Sequence, residues 1–138
     1  MNRFGNKPRA TIDYESRSAC SLRNSGTWRY SCDDTTQVLC LGFRLPHWPE
    51  GKTALWHPAF PHLGIKADVL GWDDESGAWQ HLEELHDWIR AGKLVEAHNA
   101  WFERGITLNQ LVAKYGWPYI TPTQLVEAAN ARRASMAE

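Results

Sequence analysis

Asp13 and Glu15 stand two residues apart, in and just beyond the stretch Ala10–Tyr14. Thr11, Ile12 and Tyr14 favour extended backbone there, so a first strand is expected. Side chains alternate along a strand, which puts both carboxylates on one face, a few ångströms from each other. Two such acids repel unless water solvates them or a cation bridges them. Hard divalent ions such as Mg²⁺ or Mn²⁺ take oxygen ligands and keep positions open for a substrate phosphate. In a two-metal arrangement one ion activates water and the other stabilises the departing oxygen. The Asp-x-Glu tripeptide alone is not specific, because such pairs arise by chance on exposed strand faces.

A third acid lies far away in the chain. Leu94–Ala97 reads as a short buried strand, His98-Asn99 as a turn, and a helix opens directly after it. Asn99 is a good N-cap residue, and Glu103 sits close to the capping-box position in the first helical turn. A helix start is electropositive and suits an acid. Glu103 is thereby placed within reach of the first strand's carboxylates.

The elements that would position these groups follow from pattern. Ser16–Gly26 reads as a polar connection and Trp28–Ser31 as a β-like stretch before the turn-prone pair Asp33-Asp34. The nearly continuous apolar run from Gln37 to Phe43 predicts a well-covered strand. Pro46, Pro49 and Gly51 mark a loop, with a further strand over Thr53–Trp56. His57–Gly77, rich in Pro, Gly and Asp, predicts an irregular exposed connection. Trp79, Leu82, Leu85 and Ile89 recur at helical spacing, with Ser76 as a candidate cap and Gly92 as the stop. In the helix after Asn99, Phe102, Ile106, Leu111 and Tyr115 form the apolar stripe, closed by Gly116 and Pro118. The Ala-rich stretch from Thr123 to Ala137 predicts a last helix. Strands in front and strand–helix alternation behind predict one α/β layer system over residues 1–138.

With 138 residues, 43% hydrophobic and 22% charged, the chain has the size and composition of one globular domain. Its net charge of −1 gives no global basic field, so nucleic-acid binding must rest on a local site. Cys20, Cys32 and Cys40 are an odd number with no secretory signal before them, which predicts reduced thiols in a cytoplasmic protein. No apolar run approaches the length of a bilayer span, so no membrane partner is expected. The cysteine spacings fit no zinc ligand pair separated by two to four residues, and His57 and His62 flank prolines. His98 suits either acid–base work or fixing the turn beside Asn99. Arg17, Arg23 and Arg29 are candidate phosphate contacts or plain surface charges. The eight tryptophans show no period; each is expected to pack in the core or at its edge, with stacking on unpaired bases as the functional alternative.

Taken together, Asp13-Tyr14-Glu15-Ser16-Arg17-Ser18 resembles the first motif of the DEDD superfamily of 3′–5′ exonucleases, in the variant carried by phage family A DNA polymerases. Leu22–Tyr30 followed by Asp34–Cys40 is similar to the next stretch of those domains. Ala97–Arg104 looks like their second motif, with Glu103 where many members have Asp. Order and spacing agree over about residues 8 to 120. The resemblance implies a ribonuclease H-like mixed sheet with flanking helices and two ions of Mg²⁺ or Mn²⁺. It implies hydrolysis of single-stranded DNA from the 3′ end, in a bacterial or phage-infected cell. On it, Asp13, Glu15 and Glu103 are catalytic metal ligands, Asn99 and Phe102 shape the pocket for the terminal nucleotide, and Arg17 and His98 join in substrate binding.

One part of the family pattern is missing. Members carry a Tyr or His followed four residues later by a metal-binding Asp on a late helix. After Tyr119 this sequence has no Tyr, His or Asp, and its acids beyond Glu103 are Glu127 and Glu138. Glu127, expected on a helix, is the candidate substitute. Residues 121–138 therefore read as an atypical tail, and the domain as C-terminally truncated. Three explanations compete: a fragment or truncated gene product, a site completed by another subunit, or lost catalysis, the last leaving a module that binds single-stranded DNA or docks on a polymerase or partner subunit.

Overall fold

Ala10, Ile12 and Tyr14 alternate with half-buried or exposed neighbours, and this period of two builds the central strand β1 (Arg9–Arg17). The computed structural model describes residues 7–128. Its further strands are β2 (Gln37–Arg44), β3 (Ala54–His57), β4 (Asp68–Leu70), β5 (Leu94–Ala97) and β6 (Leu125–Glu127). They form one six-stranded sheet in the order β4-β3-β2-β1-β5-β6. β1 to β4 are antiparallel neighbours, whereas β5 pairs parallel with both β1 and β6. The architecture is thus α/β with a mixed sheet and three main helices.

Register sorts the sheet into two unlike faces. Ile12 lies opposite Phe43 and Tyr14 opposite Leu41, which in turn faces Trp56, and all five are buried. Val69, Val95 and Ala97 continue this face, at 0% exposure each. Asp13, Glu15, Cys40, Leu55 and Glu96 carry the opposite face and are half-buried or exposed. The helical layer lies against the first face. Helix α2 (Trp79–Arg90) buries Leu82, Leu85 and Ile89. Helix α3 (Ala100–Ile106) runs on through a π-helical turn, Thr107–Val112, into a last α turn over Ala113–Tyr115. Trp56 meets Tyr115 and Trp117 edge-on, and His86 of α2 packs on Trp117.

Four expectations fail here. Trp28–Ser31 is helical, in the second half of α1 (Leu22–Cys32) after a break at Gly26, because Tyr30 and Ser31 dock on α3. Three-residue strand β4 and a 3₁₀ turn at Pro61–Leu63 lie inside the supposedly irregular His57–Gly77. Ser76 is not a cap: α2 starts after Ala78 without a side-chain cap bond. Leu125–Glu127 is strand rather than helix, since its backbone pairs with β5. The rest of the expected last helix, from residue 129 on, lies outside the described residues, as does Glu138. No described helix is long and apolar enough to cross a membrane.

Candidate functional site

β1 outruns its parallel neighbour. Its pairing with β5 ends at Ile12 opposite Ala97, while β1 continues to Arg17 against β2 alone. The chain leaves β5 through the His98-Asn99 turn and starts α3 at Ala100, so the first turn of α3 stands beside the free edge of β1. Glu103 fills that position. It is 4% exposed, and its Oε1 accepts a long hydrogen bond, 3.5 Å, from the Tyr14 amide.

Both ends of this contact are fixed. The Tyr14 hydroxyl meets Thr107 Oγ1 at 3.0 Å, and the Thr107 hydroxyl donates to the Glu103 carbonyl at 2.9 Å. Burial holds the Tyr14 phenol well above its ordinary range. Burial likewise pushes the Glu103 carboxyl up to about 8; the Tyr14 amide opposes this, and the charges of Asp13 and Glu15 add to it. Glu103 Oε2 is buried without a hydrogen-bond partner among the described residues. An orphaned buried oxygen is costly unless something supplies the missing contact.

Asp13 and Glu15 project from the open face of the same strand segment and are exposed. Cys40 lies directly across from Glu15. Burial raises its thiol, with the Glu15 and Asp13 charges acting the same way and the Glu15 amide opposing. The charges of Asp13 and Glu15 thus reach Glu103 at the end of β1. The donors are hard oxygens, which suits Mg²⁺ or Mn²⁺. As the side chains stand, no three His, Cys, Asp or Glu among the described residues are close enough to share one ion. Side-chain rotation of the exposed Asp13 and Glu15 would have to close the set.

The remaining sequence candidates scatter. Phe102 is half-buried, its ring 5.6 Å from that of Tyr30, whose hydroxyl meets Ser16 Oγ at 3.1 Å. These rings wall the site on the α1 side. Asn99 and His98 are exposed, and neither side chain makes a hydrogen bond among the described residues. Asn99 therefore does not cap α3. That role falls to Glu127, whose Oε1 accepts from the Ala100 amide at 3.3 Å. Glu127 stands on β6, not on a helix, and is engaged at the head of α3. Arg17 extends from the end of β1 and donates from Nε and Nη2 to Gln37 Oε1 at 2.9 and 2.8 Å. Arg23 and Arg29 are exposed on α1.

Sequence reasoning missed Tyr30, Thr107 and the capping role of Glu127. Each acts through a contact to another element, and none has a local signature. A cavity of about 570 Å³ lies elsewhere, at the opposite end of the sheet, where Lys7 and Pro8 enter β1 beside His47, Trp88 and Lys93. It touches none of the acids and is separate from the candidate site. Among known proteins, no family model, no curated protein and no solved structure matches the chain.

Proposed function

We propose that the chain is a ribonuclease H-like 3′–5′ exonuclease module acting on single-stranded DNA with Mg²⁺ or Mn²⁺. The observation that carries this reading is Glu103, buried at the free edge of β1 against the Tyr14 amide between Asp13 and Glu15, with one carboxylate oxygen unsatisfied among the described residues. Asp13, Glu15 and Glu103 would hold the divalent ion. Such an ion supplies an activated water and stabilises the leaving 3′ oxygen. Phe102, backed by Tyr30, would flank the terminal nucleotide, and Arg17 and His98 lie on the exposed approach with Asn99. The sheet order supports the fold assignment without matching it, since the ribonuclease H order 3-2-1-4-5 lacks the extra edge strand β4.

A second reading has its own support. The acids are not gathered into a metal-binding geometry among the described residues, and Glu127 caps α3 and so is not free to be a fourth ligand. A catalytically silent module that grips single-stranded DNA, or docks on a polymerase domain or second subunit, fits those two facts. Degradation of a 5′-labelled single strand with Mg²⁺ or Mn²⁺ separates the readings. Cleavage that is lost in Asp13→Ala and Glu103→Gln supports the enzyme. Cleavage that survives either substitution sinks the site, and no cleavage in the parent leaves the silent module.

A further inference from the structure

Trp101 stands two residues before Glu103 and is 61% exposed. Its indole N–H makes no hydrogen bond among the described residues, so neither burial nor a polar tether explains the side chain. What it does have is a cation beside its ring. The guanidinium carbon of Arg104, three residues on and on the same side of the helix, lies 5.8 Å from the Trp101 centroid. The same carbon is 5.1 Å over the ring of Tyr119, itself 41% exposed. Arg104 also donates to the Tyr119 hydroxyl and, through Nε, to the Ile120 carbonyl at 3.2 Å.

Tying the loop after α3 back to the helix accounts for Arg104 and Tyr119. It does not account for Trp101, which adds an exposed ring to an already anchored cation. Of the other exposed indoles, Trp28 at 54% and Trp79 at 41% have no ring or cation partner among the described residues, and Trp72 packs on Trp48 and His81. Trp88 carries a cation, Lys93, but is half-buried and gives its N–H to the Leu94 carbonyl. Trp101 thus joins an exposed aromatic face and a fixed guanidinium on the solvent side of α3, the helix whose buried side carries Glu103.

We infer that Trp101, steadied by Arg104 and Tyr119, is a stacking platform for an unpaired base of single-stranded nucleic acid. The inference takes its substrate class from the proposed function. Every base offers a π-face, so such a platform holds a strand irrespective of sequence, while Arg104 adds a charge suited to the phosphates.

The test is fluorescence anisotropy of a 5′-labelled oligothymidylate, and of an abasic strand of equal length, in EDTA so that no cleavage intervenes. The parent is expected to prefer the thymidylate by about tenfold, a preference that Trp101→Ala abolishes and Trp101→Phe partly retains. Trp28→Ala, at an exposed indole away from the acids, is expected to keep it. Unchanged thermal unfolding of Trp101→Ala shows that the loss is local. Equal thymidylate affinity in parent and Trp101→Ala, or a parent blind to the missing bases, overturns the platform. Because cleavage is assayed separately through Asp13, the platform can fail while the nuclease stands, and a platform without cleavage leaves the silent binder.

Discussion

Glu103 seals the edge of β1 by accepting the Tyr14 amide at 3.5 Å, in a place where a neighbouring strand would otherwise have paired. The seal is made by an acid in a dry place beside two others, which couples folding to pH. With its carboxyl at about 8 in the folded chain against 4.5 when solvated, Glu103 is protonated in the native state and ionised in the unfolded one across that window. The unfolded state binds fewer protons there, so stability is full below 4.5 and declines as pH rises towards 8. The slope is at most about 1.4 kcal/mol per pH unit. Glu103→Gln keeps an acceptor for Tyr14 and removes the ionisation. Above pH 6.5, urea midpoints should fall in the parent and stay nearly level in the variant.

His86 works in the opposite sense. Burial depresses its imidazole to about 4 from 6.5, helped by Arg90 and opposed by Asp87. The native state keeps it neutral against Trp117, so its contribution is present above 6.5 and is lost as pH falls towards 4. Between 4.5 and 6.5 the two groups offset each other, and above that Glu103 acts alone. In His86→Phe the acid-side loss should shrink, leaving Glu103 dominant. A pH–stability curve unchanged from the parent would contradict this.

Glu127 takes the capping role that the position of Asn99 suggests. Glu127→Ala should cost about 1 kcal/mol, the usual worth of an N-terminal cap, because the Ala100 amide loses its acceptor. Asn99→Ala, whose side chain caps nothing, should cost much less. Denaturant titration of both variants ranks them directly, and the reverse order would restore Asn99 as the cap.

Gly105 sets how closely α1 approaches α3. A Cβ there would lie 3.1 Å from Ser31 Oγ and 3.4 Å from Ser31 Cβ. Ser31 is fully buried and held by Trp28 O and Asn109 Nδ2, so it has little room to yield. Gly105→Val is expected to destabilise by about 1–3 kcal/mol, as overpacking does. Pairing it with Ser31→Gly should recover part of that loss in thermal melts.

What could be seen in the sequence was what local pattern encodes. The β1, β2, β3 and β5 strands and helix α2 follow from alternation or helical spacing, and the Asp13–Glu15 pair follows from the strand itself. Glu103 was legible because a strand, a turn and a helix start are all local signals. The errors come from contacts between distant segments. Trp28-Arg29-Tyr30-Ser31 has strand-like composition, yet packing on Phe102 and Gly105 makes it helix. Leu125–Glu127 is strand only because β5 offers an edge, and three residues carry no period of their own. Glu127 becomes a cap only after that pairing places it beside Ala100.

The π turn at Thr107–Val112 acts as a one-residue spacer between two jobs of the same helix. Upstream it leaves Glu103 and Thr107 aimed at Tyr14, and downstream it brings Tyr115 and Trp117 onto Trp56. Tightening the coil by one residue would swing everything after it by about 100°. The acid edge would keep its alignment while the aromatic anchor, and the loop that carries Tyr119 to Arg104, rotated away. Helix length here is therefore a tuning parameter, and insertions or deletions are far less tolerable in this coil than in the loop that follows.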